Sequence, residues 1–233
     1  GIRLLPSQIP DGWLAGFVHF HTAFGYPPEH RASPQELMAE AAALGGDFVF
    51  CAGDHGSEYG PDGYSGRENA ATLNHSGWCR SHGHPDPFAV PWLARVHYQE
   101  LFNKMQITYL HTSGGRTLAD LFEAWRERRS VSVHGSLVPE RIEPLPQRRP
   151  HRTAERPGIH FAVGSFSGRT IRRVEIRRSG RTVCAVEPER QDRFALRWRD
   201  EMFEGGTVCY TIHVQGDDDD HLVTSPISFI SAT

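Results

Sequence analysis

The amino-acid sequence predicts a fold in two parts, an α/β domain at the start of the chain and an all-β domain at its end. Three observations predict it. Residues 13–58 have the pattern of strand, helix and strand, residues 138–157 are rich in proline and arginine, and apolar and polar residues alternate from residue 158 onward. We therefore expect an α/β domain over residues 1–137, a linker over residues 138–157 and a small β-sandwich over residues 158–233.

The first part opens with a strand, a helix and a second strand. His19 and His21 lie two positions apart in the run FVHFH, so both imidazoles are expected to point to one face of a strand. A helix follows, beginning with a Ser-Pro-Gln-Glu capping sequence at Ser33 and ending at Gly45-Gly46. The apolar run FVFCA then predicts a second, buried strand. Together these segments predict a βαβ unit.

Residues of the types that bind metals stand at the ends of both predicted strands. A βαβ crossover is right-handed and makes its strands parallel, so their carboxyl ends meet at one edge of the sheet. His19 and His21 at the first end are therefore predicted to converge with Asp54 and His55, which follow the second. Imidazole and carboxylate groups suit zinc, manganese or iron. The sequence thus predicts a metal site at this edge. The alternative is that the histidines are unrelated and bind no metal.

The segments VHFHT, from Val18, and AGDHG, from Ala52, resemble the first two motifs of the PHP (polymerase and histidinol phosphatase) superfamily of metal-dependent phosphoesterases. The opening DGWLAGFVHFHT and the end of the chain are most similar to the branch that includes carbaryl hydrolase. The resemblance implies a distorted (β/α) barrel with more than one divalent metal ion, and a metal-bound hydroxide that attacks a phosphoester or related ester. It assigns Asp54 and His55 to the catalytic site. One departure is Phe17, where that branch usually has an aspartate.

The same resemblance points to further ligands in the long segment after the second strand. Residues 53–86 show no period, and long loops inside a compact domain tend to be functional. The tripeptide that ends at Glu68 is similar to the motif of the family's bridging glutamate, and His84 with its following proline is similar to a later His-Pro motif. Neither follows an apolar strand. Glu68 and His84 are therefore candidate metal ligands, with solvated loop residues as the alternative.

The predicted barrel is short. A complete eight-stranded (β/α) barrel needs roughly 250 residues, whereas only residues 1–137 precede the linker. The late Asp-x-His that completes the family's metal centre is missing from that stretch, and Asp219-x-His221 falls in the all-β part. We therefore expect a shortened or distorted barrel that acts as a metal-dependent hydrolase.

Two other functions fit parts of the sequence. A non-catalytic metal-binding or ligand-binding module with a degenerate PHP domain is the main alternative, and the short barrel favours it. An amidohydrolase-type site also begins with His-x-His, but it needs a lysine in the barrel. Lys104, the single lysine, falls in a predicted helix, which disfavours this interpretation.

Between the metal motifs and the proline-rich segment, the sequence predicts two helices and two more strands. The helices cover residues 91–105, which include Lys104, and residues 117–128, and the strands cover residues 107–111 and 130–134. Each strand ends at a histidine, His111 or His134, and both are expected to be structural or surface residues. The segment resembles the one that closes the barrel in the carbaryl hydrolase branch.

The end of the chain consists of short alternating runs between Ile159 and Ile230, separated by turn residues. This pattern is typical of an immunoglobulin-like sandwich. None of the four cysteines forms a C-x-x-C pair, so free thiols are expected.

Composition restricts the partners. A net charge of −3 argues against bulk binding of nucleic acid. No apolar run reaches the roughly 18 residues of a membrane span, and no charged-then-apolar leader opens the chain. We expect a soluble, cytoplasmic protein that acts on a small-molecule ester, with no nucleic-acid or membrane partner. Export of a processed form stays open because the chain begins with Gly1, and the sequence predicts no oligomeric state.

Overall fold

The structure is a computed structural model that describes residues 9–21, 47–52, 106–217 and 220–232. For residues 17–21, 48–52, 106 and 118 it describes the backbone. Thirteen strands and one helix lie in this part of the chain. In chain order they are β1 (Trp13–His21), β2 (Phe48–Ala52), β3 (Gln106–His111), α1 (Leu118–Arg126), β4 (Ser130–His134), β5 (Leu137–Glu143), β6 (His151–Thr153), β7 (Gly158–Ser165), β8 (Ile171–Arg178), β9 (Arg181–Val186), β10 (Arg193–Arg199), β11 (Thr207–Gly216), β12 (His221–Thr224) and β13 (Ile227–Ser231).

Two sheets hold these strands. The larger has ten strands in the order β2-β1-β3-β4-β12-β11-β13-β6, with β8 paired to β11 and β9 paired to β8. The smaller has three strands in the order β10-β7-β5. Buried apolar side chains from both sheets form one core, so the architecture is a β-sandwich. Fully buried members of that core are Ile107, Tyr109, Leu137, Phe161, Ile171, Ile176, Tyr210 and Ile212.

The predicted α/β fold, a shortened PHP-type (β/α) barrel followed by a small sandwich, is wrong. Within the described ranges the strands belong to two sandwich sheets, and β3 pairs antiparallel with both β1 and β4. The prediction assumes that a strand, a helix and a strand in sequence make a parallel crossover. Here the chain leaves β3 at His111 and returns at Arg129, whose carbonyl oxygen accepts a hydrogen bond from the His111 backbone N–H at 2.9 Å. The helix α1 therefore starts and ends at one edge, which makes the flanking strands antiparallel.

The helix α1 begins at a capping box. The Thr117 hydroxyl accepts a hydrogen bond from the Asp120 backbone N–H at 3.2 Å, and the Asp120 carboxylate accepts one from the Thr117 N–H at 2.8 Å. Leu121 and Ala124 pack on Leu14 and Leu110 of the larger sheet. The helix thus covers the face of that sheet opposite the sandwich core.

Residues 138–157, predicted to be a linker, include most of β5 and all of β6. The alternation is hidden because the pairing of β5 with β7 shifts register between Pro139 and Arg141. The shift lets Leu137 and Ile142, which are five positions apart, both face the core. The division into separate folding units over residues 1–137 and 158–233 stays a prediction.

The pairing of β4 with β12 joins the early strands to the late ones. His134 lies opposite His221, and Val131 lies opposite Thr224. Beside this ladder, the hydroxyls of Ser130 and Ser225 are hydrogen-bonded at 2.7 Å. The strands of the predicted first domain therefore continue the larger sheet of the sandwich.

Candidate metal centre

The strands β1 and β2 form the framework of the predicted metal site. They are parallel neighbours, with Gly16 opposite Phe48 and His21 opposite Ala52. The register shifts once, between Phe17 and Phe20. The prediction that these two strands pair in parallel is confirmed, and their carboxyl ends lie at the same rim of the sheet.

The predicted ligands divide into two groups. His19 and His21 lie in the last part of β1, where the structure describes the backbone. Asp54 and His55 follow the end of β2 in the sequence and lie outside the described residues. Glu68 and His84 also lie outside them. Convergence of these six side chains on one site therefore stays a prediction, and the described part of it is the backbone at the ends of β1 and β2.

The opposite end of β1 is anchored. The Asp47 carboxylate accepts a hydrogen bond from the Ala15 N–H at 3.0 Å, and the Asp47 N–H donates to the Ala15 carbonyl at 2.7 Å. Gly12 has a φ of +80°, and a Cβ there would come within 2.8 Å of the His111 Nε2. Because β1 and β3 are antiparallel, His111 lies at the amino end of β1, remote from His19 and His21.

His111 has a structural environment. Its ring contacts the Trp13 indole edge to face, with centroids 5.0 Å apart. Burial, and then the nearby Arg129 charge, lower the pKa of His111 below its usual value. This residue packs the end of the sheet.

The rim at the carboxyl end of β1 continues across the neighbouring strands. Because β3, β4 and β12 alternate in direction, β3 begins there at Gln106, β4 ends there at His134 and β12 begins there at His221. Gln106 is the pairing partner of His134, and His134 is the partner of His221. The sequence analysis assigns His221 to a separate sandwich and expects His134 to be structural. Only the long-range strand order brings both to the rim where β1 ends.

Comparisons with known proteins add little to this geometry. No family model matches the chain, and neither does any curated protein. Among solved structures, the chain is similar to the fibronectin(III)-like modules of Clostridium thermocellum CbhA, at 11% sequence identity and a TM-score of 0.25. The match covers 55% of this chain and 61% of that one. The fold assignment rests on the two sheets described above.

The described part of the chain contains no group of three or more His, Cys, Asp or Glu side chains placed to hold one ion. Cys184 and Cys209 are free thiols, as predicted. None of the helices in the described ranges is long and apolar enough to cross a membrane.

A buried polar cluster surrounds Glu175 in the middle of the larger sheet. The Glu175 carboxylate accepts hydrogen bonds from Arg173 at 2.7 Å and Arg177 at 2.9 Å, and His213 lies directly opposite it on β11. Burial raises the pKa of Glu175, but the two arginines outweigh burial and lower it below its usual value. Burial, and then the Arg177 charge, lower the pKa of His213 to about 3. The His213 Nε2 also lies 2.9 Å from the Thr211 hydroxyl, so this cluster is internally satisfied.

A second buried cluster is centred on Asp200. Its carboxylate accepts hydrogen bonds from the Tyr210 hydroxyl at 2.5 Å, from Arg178 at 2.9 Å and from the Met202 N–H at 3.0 Å. Burial and the adjacent carboxylate raise the pKa of Tyr210 well above its usual value. Tyr210 also packs edge to face on Trp198. These contacts fix β10 and β11 and leave no open position for a ligand among the atoms they engage.

Proposed function

We propose that this protein is a metal-dependent hydrolase of phosphoesters or related esters, related to the PHP superfamily, with its metal centre at the carboxyl ends of β1 and β2. The observation that carries the proposal is the parallel pairing of these strands, in which His21 lies opposite Ala52. That pairing places the end of β2 at the rim where His21 ends β1, and Asp54 and His55 follow Ala52 in the sequence. Ligand sites of sheets with parallel strands favour this edge.

The donor set fits divalent transition metals. His19, His21 and His55 supply imidazoles, and Asp54 supplies a carboxylate or orients one of the histidines. Glu68 and His84 are further candidates. Imidazole and carboxylate suit zinc, manganese or iron better than magnesium or calcium. When bound, such ions lower the pKa of a coordinated water and stabilise negative charge on the group under attack.

The chain contributes a rigid support for these ligands. The two hydrogen bonds between Ala15 and Asp47 fix the start of β2 against β1. The neighbouring strand β3 pairs with β1 from Trp13 to Gly16. Ligands mounted on paired strands keep their geometry better than ligands on loops. This support applies to His19 and His21, which lie on β1.

The test replaces both histidines of β1. His19→Ala/His21→Ala should lose bound metal, measured by plasma mass spectrometry, together with hydrolysis of p-nitrophenyl phosphate and p-nitrophenyl acetate. His160→Ala is the matched control because His160 lies on the smaller sheet, where its nearest charged partner is Glu143 at 3.7 Å. It should leave metal content and turnover unchanged. Hydrolysis by the double variant in metal-free buffer would contradict the proposal.

A non-catalytic metal-binding or ligand-binding module is the second candidate. One observation favours it: in the described ranges, β1, β3 and β4 extend a sandwich sheet and build no barrel around the rim. The same measurements separate the two candidates. Bound metal that depends on His19 and His21, without turnover of a broad panel of phosphoesters and carboxyesters, would favour the module.

A further inference from the structure

Two histidines lie directly opposite each other at the rim. His134 is the last residue of β4, His221 is the first residue of β12, and the two are partners in the antiparallel ladder. Directly opposed residues of an antiparallel pair lie on the same face, with Cβ atoms roughly 4.5–5.5 Å apart. Two imidazoles at this spacing can approach one ion from both sides, since a zinc-to-nitrogen bond is about 2.0–2.1 Å long.

The surroundings suit a bound cation of the imidazole-preferring kind. His134 is 4% exposed, whereas His221 is half-buried, so one ligand is deeply held and the other is reachable from solvent. The nearest carboxylate along the chain, Asp220, is already engaged by the Ser136 hydroxyl at 2.5 Å and by Arg169 at 3.1 Å.

Polar residues continue the row on both sides. Gln106 is the partner of His134 on β3, and Gln215 is the partner of His221 on β11. Gln215 is exposed. The four positions form one line across the sheet, and its two central members are histidines.

We propose that His134 and His221 bind one divalent transition-metal ion at a site separate from the proposed hydrolase centre. The strand β3 stands between β1 and β4, and adjacent strands are roughly 4.8 Å apart. The backbones of β1 and β4 are therefore about 10 Å apart, which favours two sites over one. A site with two imidazoles prefers Cu²⁺ over Ni²⁺ and Zn²⁺, and it does not suit Mg²⁺ or Ca²⁺.

The experiment starts from the full chain carrying His19→Ala/His21→Ala, which removes the ligands of the proposed hydrolase centre on β1. Calorimetric titration with Cu²⁺ and then Zn²⁺ in metal-free buffer should show an ion bound tightly, with Cu²⁺ the tighter. Adding His221→Ala should weaken Cu²⁺ binding by more than about 10-fold. Adding His160→Ala instead, as the matched control on the smaller sheet, should leave the Cu²⁺ affinity unchanged.

A second measurement avoids dependence on one variant. Electron paramagnetic resonance of the Cu²⁺-loaded protein should show two imidazole nitrogens on the ion, and His221→Ala should reduce them to one. Circular dichroism checks that the variant keeps its sheets. Unchanged Cu²⁺ affinity after His221→Ala would contradict the proposal that His134 and His221 bind the ion together. That result would leave the hydrolase proposal standing, because the hydrolase is tested by loss of turnover in His19→Ala/His21→Ala.

Discussion

His213 and the pair formed by His134 and His221 lie on one face of the larger sheet, yet their surroundings differ sharply. His213 lies inside β11, between Glu175 on β8 and Val223 on β12, and its Nε2 contacts Thr211. His134 and His221 lie at the ends of their strands. Burial, and then the Arg177 charge, keep His213 neutral inside the sheet. At the rim, His134 and His221 are cross-strand partners, with Gln106 and Gln215 next to them in the ladder.

The largest expected change in the free energy of unfolding comes from the buried cluster at Asp200. Asp200→Ala should lower the free energy of unfolding by about 3 kcal/mol, because it leaves the Tyr210 hydroxyl and the Arg178 guanidinium without their buried acceptor. Urea unfolding measures the change. Tyr210→Phe removes one hydrogen bond and keeps the rest, so it should cost about 1–2 kcal/mol. Equal effects of the two variants would show that the hydrogen bonds of Asp200 with Arg178 and with the Met202 N–H contribute nothing to stability.

A smaller effect follows from the titration of His213. The unfolded chain takes up a proton near the ordinary pKa of 6.5, whereas the folded chain does so only near 3. Between these values the unfolded state binds more protons, so stability present above pH 6.5 is lost as pH falls, at up to about 1.4 kcal/mol per pH unit. At pH 5 the free energy of unfolding should therefore be about 2 kcal/mol lower than it is well above pH 6.5.

His213→Gln is the control for that titration. It should reduce the pH dependence of unfolding between pH 6.5 and 5, measured by urea titrations at a series of pH values. His160→Ala should leave the slope as it is. If the free energy of unfolding of the wild-type protein is constant over this interval, the folded chain protonates His213 as readily as the unfolded chain does. The comparison of interior and rim histidines would then fail.

The smallest effect is expected beside the rim. Ser136→Ala removes one of the donors to the buried Asp220 carboxylate, while the Ser136 backbone N–H and Arg169 still donate to it. The free energy of unfolding should fall by about 1 kcal/mol. Cu²⁺ affinity should be unchanged, because Asp220 keeps its Arg169 partner. A large loss of Cu²⁺ affinity would mean that the Asp220 network, rather than the histidine pair, holds the ion.

Local patterns in the sequence predict part of this fold. The alternation around His19 and His21 and the apolar run that ends at Ala52 predict β1 and β2, because each feature is contained in a few neighbouring residues. Their parallel pairing is predictable from the short crossover between them. The threonine cap predicts α1, which begins after Thr117. The residue types of a metal site are predictable in the same way, and the site itself stays a prediction.

Long-range pairing is what the sequence does not reveal. Nothing local distinguishes a helix that crosses a sheet from one that returns to the edge it left, as α1 does between His111 and Arg129. The register shift after Pro139 interrupts the alternation of buried and exposed residues in β5, so the sequence pattern predicts a linker there. The meeting of His134 with His221 depends on β12 joining a strand formed almost ninety residues earlier, roughly the whole length of a small domain.

The ladder between β4 and β12 has a practical consequence for truncation of the chain. Removing everything after residue 157 would strip β4 of its β12 partner and uncover a row of unpaired backbone amides and carbonyls beside Val131 and Val133. Such an edge invites pairing with another molecule. A shortened protein carrying only the His-x-His half should therefore self-associate, and assays on it would report the behaviour of an aggregate.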